Sequence, residues 1–160
     1  AERRRVDFAF VDARLVQSRQ QLMTAIVQAI VGAMRRDPKR PDAEVGLRTP
    51  SIHSDLLWTL HSNNNIAEAL RRFGVSRTTR TLILVRVAPP LDAGELVQHM
   101  TQLVDGTLQT RGLSLPSPAL AWSELGTAYK IQDTPAFQHP DTSQVDALIC
   151  SMVASKYVGA

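Results

Sequence analysis

"LLWTLHSNNNIAEALRRFGVSRTTRTLILVRV", residues 56–87, decides how this chain is assembled. It runs from an apolar stretch through three consecutive asparagines into an amphipathic stretch, and ends in a second apolar run. "DLLWTL" (Asp55–Leu60) reads as a strand, and "TLILVRV" (Thr81–Val87) as a central strand covered on both faces. Between them Ile66, Ala69, Leu70 and Phe73 fall on one face of a helix from about Asn65 to Phe73. Asn65 and Glu68 have the spacing of a capping box, and Gly74 suits the position just past a helix end.

Upstream, "DFAFVDA" (Asp7–Ala13) reads as a short strand. From Arg14 to Met34 a helical stripe is expected from Leu15, Leu22, Met23, Ile26, Val27, Ile30, Val31 and Met34. Arg35–Pro50 holds prolines and mixed charge and reads as a surface loop. Downstream, Asp92 and Glu95 box the start of a helix whose stripe is Leu96, Val97, Met100, Leu103 and Val104. "LPSPALAWSELGTAYKI" (Leu115–Ile131) suggests a helix with Ser117 as cap and Pro118 at its first position. Residues 132–141 form a second loop. The last helix, Thr142 to about Tyr157, carries Val145, Leu148, Ile149, Met152 and Val153 on one face. Strands alternating with helices, without repeats, give a mixed α/β single domain over residues 1–160, a small central sheet flanked by helices.

The 160 residues are 44% hydrophobic, enough for a core that needs neither disulfides nor metals. A net charge of +3 permits contact with nucleic acid or an acidic partner, and is equally the charge of a basic solvated surface. One cysteine, Cys150, leaves no internal disulfide framework and fits a reducing compartment. No apolar run is long enough to cross a membrane, and the basic start "AERRRVDFAF" lacks the apolar core of a secretion signal. A cytoplasmic and nuclear location is expected.

His53, His61, His99 and His139 do not stand at metal-ligand spacing from one another, a cysteine or a carboxylate. Cys150 lies in a helical apolar context that suits packing rather than nucleophilic attack. Phosphate-loop, dinucleotide and nucleophile-elbow motifs are missing. No cofactor is expected, and an enzyme is the weaker reading.

Capping needs one asparagine; Asn63 and Asn64 are left over. An asparagine amide offers a donor and an acceptor that match a nucleobase edge or a ribose hydroxyl. It also settles turn backbone, because asparagine tolerates left-handed conformations. Both readings stay open from the residues alone. Arg71 and Arg72 close the helix, where their charge complements the dipole without any ligand. Arg3–Arg5 and the group Arg35, Arg36, Lys39 and Arg40 lie at a terminus and in a loop, where basic residues are ordinarily solvated.

Residues 56–87 resemble the signature of the small, non-catalytic KEOPS subunit, the PRPK-binding protein family of eukaryotes. Its pattern is a strand, Leu-Ser-Pro-Asn-Asn-Asn-Ile-Ser-Glu-Ala-Leu, a basic pair, Phe-Gly-Ile and an apolar strand. "FAFVDARLVQSRQQLMTAI" is similar to the family's strand and helix around a Phe-Ile-Asp segment, closest to fungal members. "ELGTAYKI" and "VDALICSMVASK" are similar to its Tyr-Lys-Leu segment and C-terminal helix. The segments stand in family order over most of the chain. Where the family has Ser-Pro before the asparagines, this chain has His61-Ser62; where a second base is expected after Arg48-Thr49, it has Pro50. The family's first strand and helix are expected to be missing before "AERRRVD".

The resemblance implies a subunit of the assembly that installs threonylcarbamoyl-adenosine in tRNA, with links to telomere maintenance in fungi. Such a subunit is not catalytic. It binds the kinase-like ATPase subunit, meets the threonylcarbamoyl transferase subunit through the complex, and holds the single-stranded CCA end of tRNA; no membrane is involved. Carried onto this sequence, the RNA-binding residues are Asn63, Asn64, Asn65, Ile66, Arg71, Arg72 and Arg48. The partner-binding residues are Leu148, Ile149, Met152, Ser155 and Lys156, because a methionine-containing stripe suits an adaptable surface. Two alternatives remain: a kinase-binding regulator without RNA contact, and a stand-alone phosphate- or small-molecule-binding module.

Overall fold

A computed structural model describes residues 8–37, 39–44, 46–109 and 113–158. The basic cluster Arg3–Arg5 and the expected strand start at Asp7 lie outside the described residues. The elements run β1 (Ala9–Asp12), a 3-10 turn (Ala13–Leu15), α1 (Arg19–Ala33), β2 (Arg36–Asp37), β3 (Arg40–Glu44), α2 (Ile52–Leu60) and α3 (Ile66–Phe73). They continue with β4 (Leu82–Val85), α4 (Ala93–Leu103), α5 (Trp122–Tyr129), α6 (Pro135–Gln138) and α7 (Thr142–Ala154). The class is mixed α/β in one domain, with helices in the majority.

β1 and β4 pair antiparallel, Ala9 opposite Val85 and Asp12 opposite Leu82. β4 alternates half-buried and buried residues, so it is not the doubly covered central strand expected. Among the described residues its only strand partner is β1. α1, α2 and α7 pack over the core, where Val11, Leu22, Leu56, Leu60, Phe73, Leu125, Tyr129, Val145, Ile149 and Val153 are buried.

"DLLWTL" is helical, not extended. Ser51 caps α2 by accepting the Ser54 N–H at 3.1 Å, and nearly every residue from His53 onward is buried. A helix buried all round has no polar face to betray its period. His53 Nε2 accepts the Val87 N–H at 3.0 Å, joining α2 to the chain beyond β4.

α1 also differs from its expected stripe. Leu22 is buried, but so are Gln21, Ala25, Ala29 and Gly32, while Met23, Val27, Val31 and Met34 are exposed. Small residues admit close neighbours: a Cβ on Gly32 would lie 1.9 Å from Tyr157 Oη. Gln21 makes a buried polar knot, its Nε2 donating to Leu15 O and Tyr129 Oη at 2.9 Å each. The Tyr129 hydroxyl donates to Leu60 O at 2.5 Å, and burial pushes its pKa well above the ordinary value.

The segment read as a loop at 35–50 contains the β2–β3 hairpin, and 132–141 contains α6. Ser117 does not start a helix. Its hydroxyl accepts the Ala119 N–H at 3.1 Å in a turn, and α5 begins at Trp122. Cys150 is buried packing, its thiol pushed up to about 11 by burial first and then by Asp146. No helix among the described residues is long and apolar enough to cross a membrane.

Candidate nucleic-acid interface and partner face

The three asparagines do different work. Asn65 Oδ1 caps α3 by accepting the Glu68 N–H at 3.0 Å. The Asn65 N–H goes to Asn63 Oδ1 at 2.8 Å, and Asn63 Nδ2 donates to Glu68 Oε2 at 3.1 Å. Asn63 therefore stands where the glutamate of a capping box would reach, and both ends of its amide are spent inside the turn. Of the two readings open for Asn63, its side chain follows the turn-backbone one. Asn64 is exposed, and its side chain makes no hydrogen bond to another described residue.

The backbone of the turn is held from below. Lys156 Nζ donates to His61 O at 2.7 Å and also to Asn63 O. Trp58 Nε1 donates to Asn64 O at 3.4 Å, and Ser62 Oγ donates to Ala128 O at 2.6 Å.

Glu68 is the electrostatic hub. Hydrogen bonds from Asn63 first and then Arg72, with the His61 ring close by, hold its carboxyl down to about 2. Arg72 Nε reaches Glu68 Oε1 at 2.9 Å, so this arginine is committed within its own helix. Arg71 NH2 is 4.0 Å from the same oxygen, with 71% of its side chain exposed, and stays open to solvent. His61 Nε2 lies 3.4 Å from Glu68 Oε2, a long contact; burial keeps the imidazole's pKa below 6.5, so it is neutral at pH 7.

Above the turn lies a cavity of about 230 Å³ lined by Arg48, Trp58, Asn64 and Ile66. Three of these were named from the sequence. Asp55, wholly buried, accepts the Arg48 N–H at 3.1 Å and the Thr49 N–H at 2.8 Å, and so fixes where Arg48 leaves the backbone. The Arg48 guanidinium lies 5.8 Å from the Trp58 ring centroid and makes no ion pair among the described residues. A cation, a free amide and an exposed isoleucine around one hollow can take a phosphate, a base edge and a base face together. Trp58 and Asp55 were not singled out from the sequence; the Ser51–Ser54 cap spacing was the signal that could have placed them on a helix.

The expected partner residues divide across α7. Ile149 is 0% exposed and belongs to the core, because it sits on the same face as Val145 and Val153. Lys156 is also buried, turned inward to the asparagine turn. These two are corrections. Leu148 is 38% exposed, Met152 is half-buried, and Ser155 is exposed with its hydroxyl on Ser151 O at 2.8 Å. Beside them a groove of about 560 Å³ runs between α6 and α7, lined in part by Pro135, Ala136, Ala147, Leu148 and Ser151.

The model of the family described as "Kinase binding protein CGI-121" matches residues 1–157. The chain belongs to this family. Among curated relatives, the EKC/KEOPS complex subunit CGI121 of Gibberella zeae is 36% identical over 62% of this chain and 50% of its own length. The subunits of the same name from Neurospora crassa and Cryptococcus neoformans are 25% and 29% identical, over 92% and 98% of this chain and 78% and 79% of theirs. Against the first relatives the chain spans about half their length. Membership in the CGI-121 family agrees with the resemblance carried by residues 56–87.

Proposed function

We propose that this chain is a non-catalytic subunit of a KEOPS-type assembly that modifies tRNA with threonylcarbamoyl-adenosine. It docks on a kinase-like ATPase subunit through the outer face of α7 and holds the unpaired 3′ CCA end of tRNA over the cavity at Arg48, Asn64 and Ile66. The transferase subunit is met through the assembly, which works in cytoplasm and nucleus. The family's description as kinase-binding and the relatives' names as complex subunits support the first half. One observation carries the second: of the three asparagines, Asn64 is the one whose side-chain amide makes no hydrogen bond to another described residue, and it lines a hollow with Arg48, which forms no ion pair among the described residues. Unpaired RNA ends are read through base edges, stacking and the ribose hydroxyl, and Arg48 supplies a phosphate contact beside them.

The test is a titration of parent, Asn64→Ala and Arg48→Glu against tRNA with and without its CCA end. Asn64→Ala is expected to weaken binding of intact tRNA about tenfold, near 1.4 kcal/mol, and to leave the truncated tRNA alone. Arg48→Glu weakens both, and its loss shrinks as salt rises. Leu148→Arg abolishes capture of the kinase-like subunit with the fold intact. If Asn64→Ala binds intact tRNA as the parent does, a kinase-binding regulator without RNA contact replaces this reading.

A further inference from the structure

We infer that Lys156 is a positioning residue for the asparagine turn: from the end of α7 it sets the conformation in which Asn64 is presented to the RNA end. The inference rests on the RNA-end reading proposed above.

Lys156 is 7% exposed, and among the described residues it pairs with no carboxylate. Its ammonium lies 4.5 Å from the Trp58 ring centroid and donates to His61 O at 2.7 Å and to Asn63 O. Burial draws its pKa down to about 8, so it stays charged at pH 7. A buried ammonium without a counter-charge is a costly way to fill space, and a methionine would fill the same volume without that cost. What the ammonium alone does is gather the carbonyls of residues 61 and 63, which would otherwise turn to water.

Those carbonyls lie just ahead of the asparagine run and on its first residue. With His61 O and Asn63 O drawn to Lys156, and Asn64 O drawn to the Trp58 indole, the carbonyls on both sides of the Asn64 α-carbon are fixed. The Asn64 side chain is left at the cavity beside Arg48 and Ile66. Lys156 is itself anchored, its N–H donating to Val153 O at 3.3 Å, while Tyr157 packs its ring 5.4 Å from that of Trp58. The turn is thus shaped by Trp58 of the neighbouring α2 and by Lys156 and Tyr157 just after α7, the latter two remote from α3 in sequence.

Lys156→Met keeps length and burial and removes the donors. Amide hydrogen exchange of residues 63–66 is expected to speed up about tenfold or more, with core amides such as that of Leu125 unchanged. Affinity for CCA-bearing tRNA falls about tenfold and affinity for truncated tRNA stays, so end selectivity is lost rather than binding in general. Lys156→Cys in a Cys150→Ala background, alkylated in denaturant with 2-bromoethylamine and refolded, restores an ammonium of nearly the same reach. It is expected to recover both exchange protection and selectivity relative to the unalkylated protein, which also serves as the comparison if the methionine variant does not fold. Unchanged exchange in the turn overturns the inference, as does a loosened turn with parental selectivity, or alkylation that restores neither. A parent without preference for the CCA end fails the RNA-end reading itself, a separate outcome visible before any variant is made.

Discussion

Asn65 and Asp92 cap their helices in the same way, Asn65 Oδ1 on the Glu68 N–H at 3.0 Å and Asp92 Oδ2 on the Gly94 and Glu95 N–H groups at 2.9 and 3.4 Å. Both helices carry an apolar stripe. Beyond that they part. α3 buries Ala69 and Phe73 in full, and Gly74 bridges to Val11 of β1. α4 buries none of its residues. A cap and a stripe are enough to start a helix; what the helix contributes to the fold depends on what its stripe meets. α3 is moreover braced by side chains from α2 and the end of α7, which is why a functional turn can sit at its start.

The largest test of this contrast pairs Phe73→Ala with Met100→Ala. Truncating Phe73 is expected to cost about 3–5 kcal/mol in urea unfolding, because it leaves a cavity between His61 and Tyr129. Truncating Met100 should change stability by less than about 0.5 kcal/mol. Equal losses would show that α4 is as much part of the cooperative core as α3.

A smaller test compares the caps. Asn65→Ala is expected to lower global stability by about 1 kcal/mol, and Asp92→Ala to leave the urea midpoint in place while speeding amide exchange of residues 94–96. A midpoint shift for Asp92→Ala as large as that for Asn65→Ala would erase the distinction.

The smallest effect is a titration. Glu68 has its carboxyl lowered from 4.5 to about 2, chiefly by the Asn63 amide, so the folded state favours the ionised form. Its contribution is therefore complete above pH 4.5 and fades as the pH falls toward 2. The carboxyl carbon resonance of Glu68 should titrate near the lower value in the parent and higher in Asn63→Ala. A parental midpoint near 4.5 would mean that the Asn63–Glu68 bond does not hold in solution.

Much of this was legible along the chain. Asn65 as cap, the buried half of the α3 stripe (Ala69 and Phe73, with Ile66 and Leu70 exposed), β1 and the class of the fold follow from local chemistry, because a cap and its helix are neighbours in sequence. The strand assigned to Asp55–Leu60 failed because a helix covered on all sides shows no period. The large apolar residues expected to line the buried face of α1 give way to Ala25, Ala29 and Gly32, because close packing selects the small ones. Asn64 and Arg48 could be named as candidates from the sequence. Which asparagine keeps its amide could not, since that depends on Asn63 finding Glu68 and on Lys156 arriving from the far end of the chain.

Gly32 carries that dependence further still. A side chain there would displace Tyr157, whose ring packs on Trp58, and Trp58 in turn lies under Lys156 and Arg48. In a survey of natural or random variants, position 32 should therefore tolerate substitution as poorly as the asparagine turn itself, and a genetic screen for lost RNA capture should return it alongside Asn64. Such a hit would mark neither a ligand contact nor a general folding defect, but the first link in a relay of aromatic rings ending at the turn.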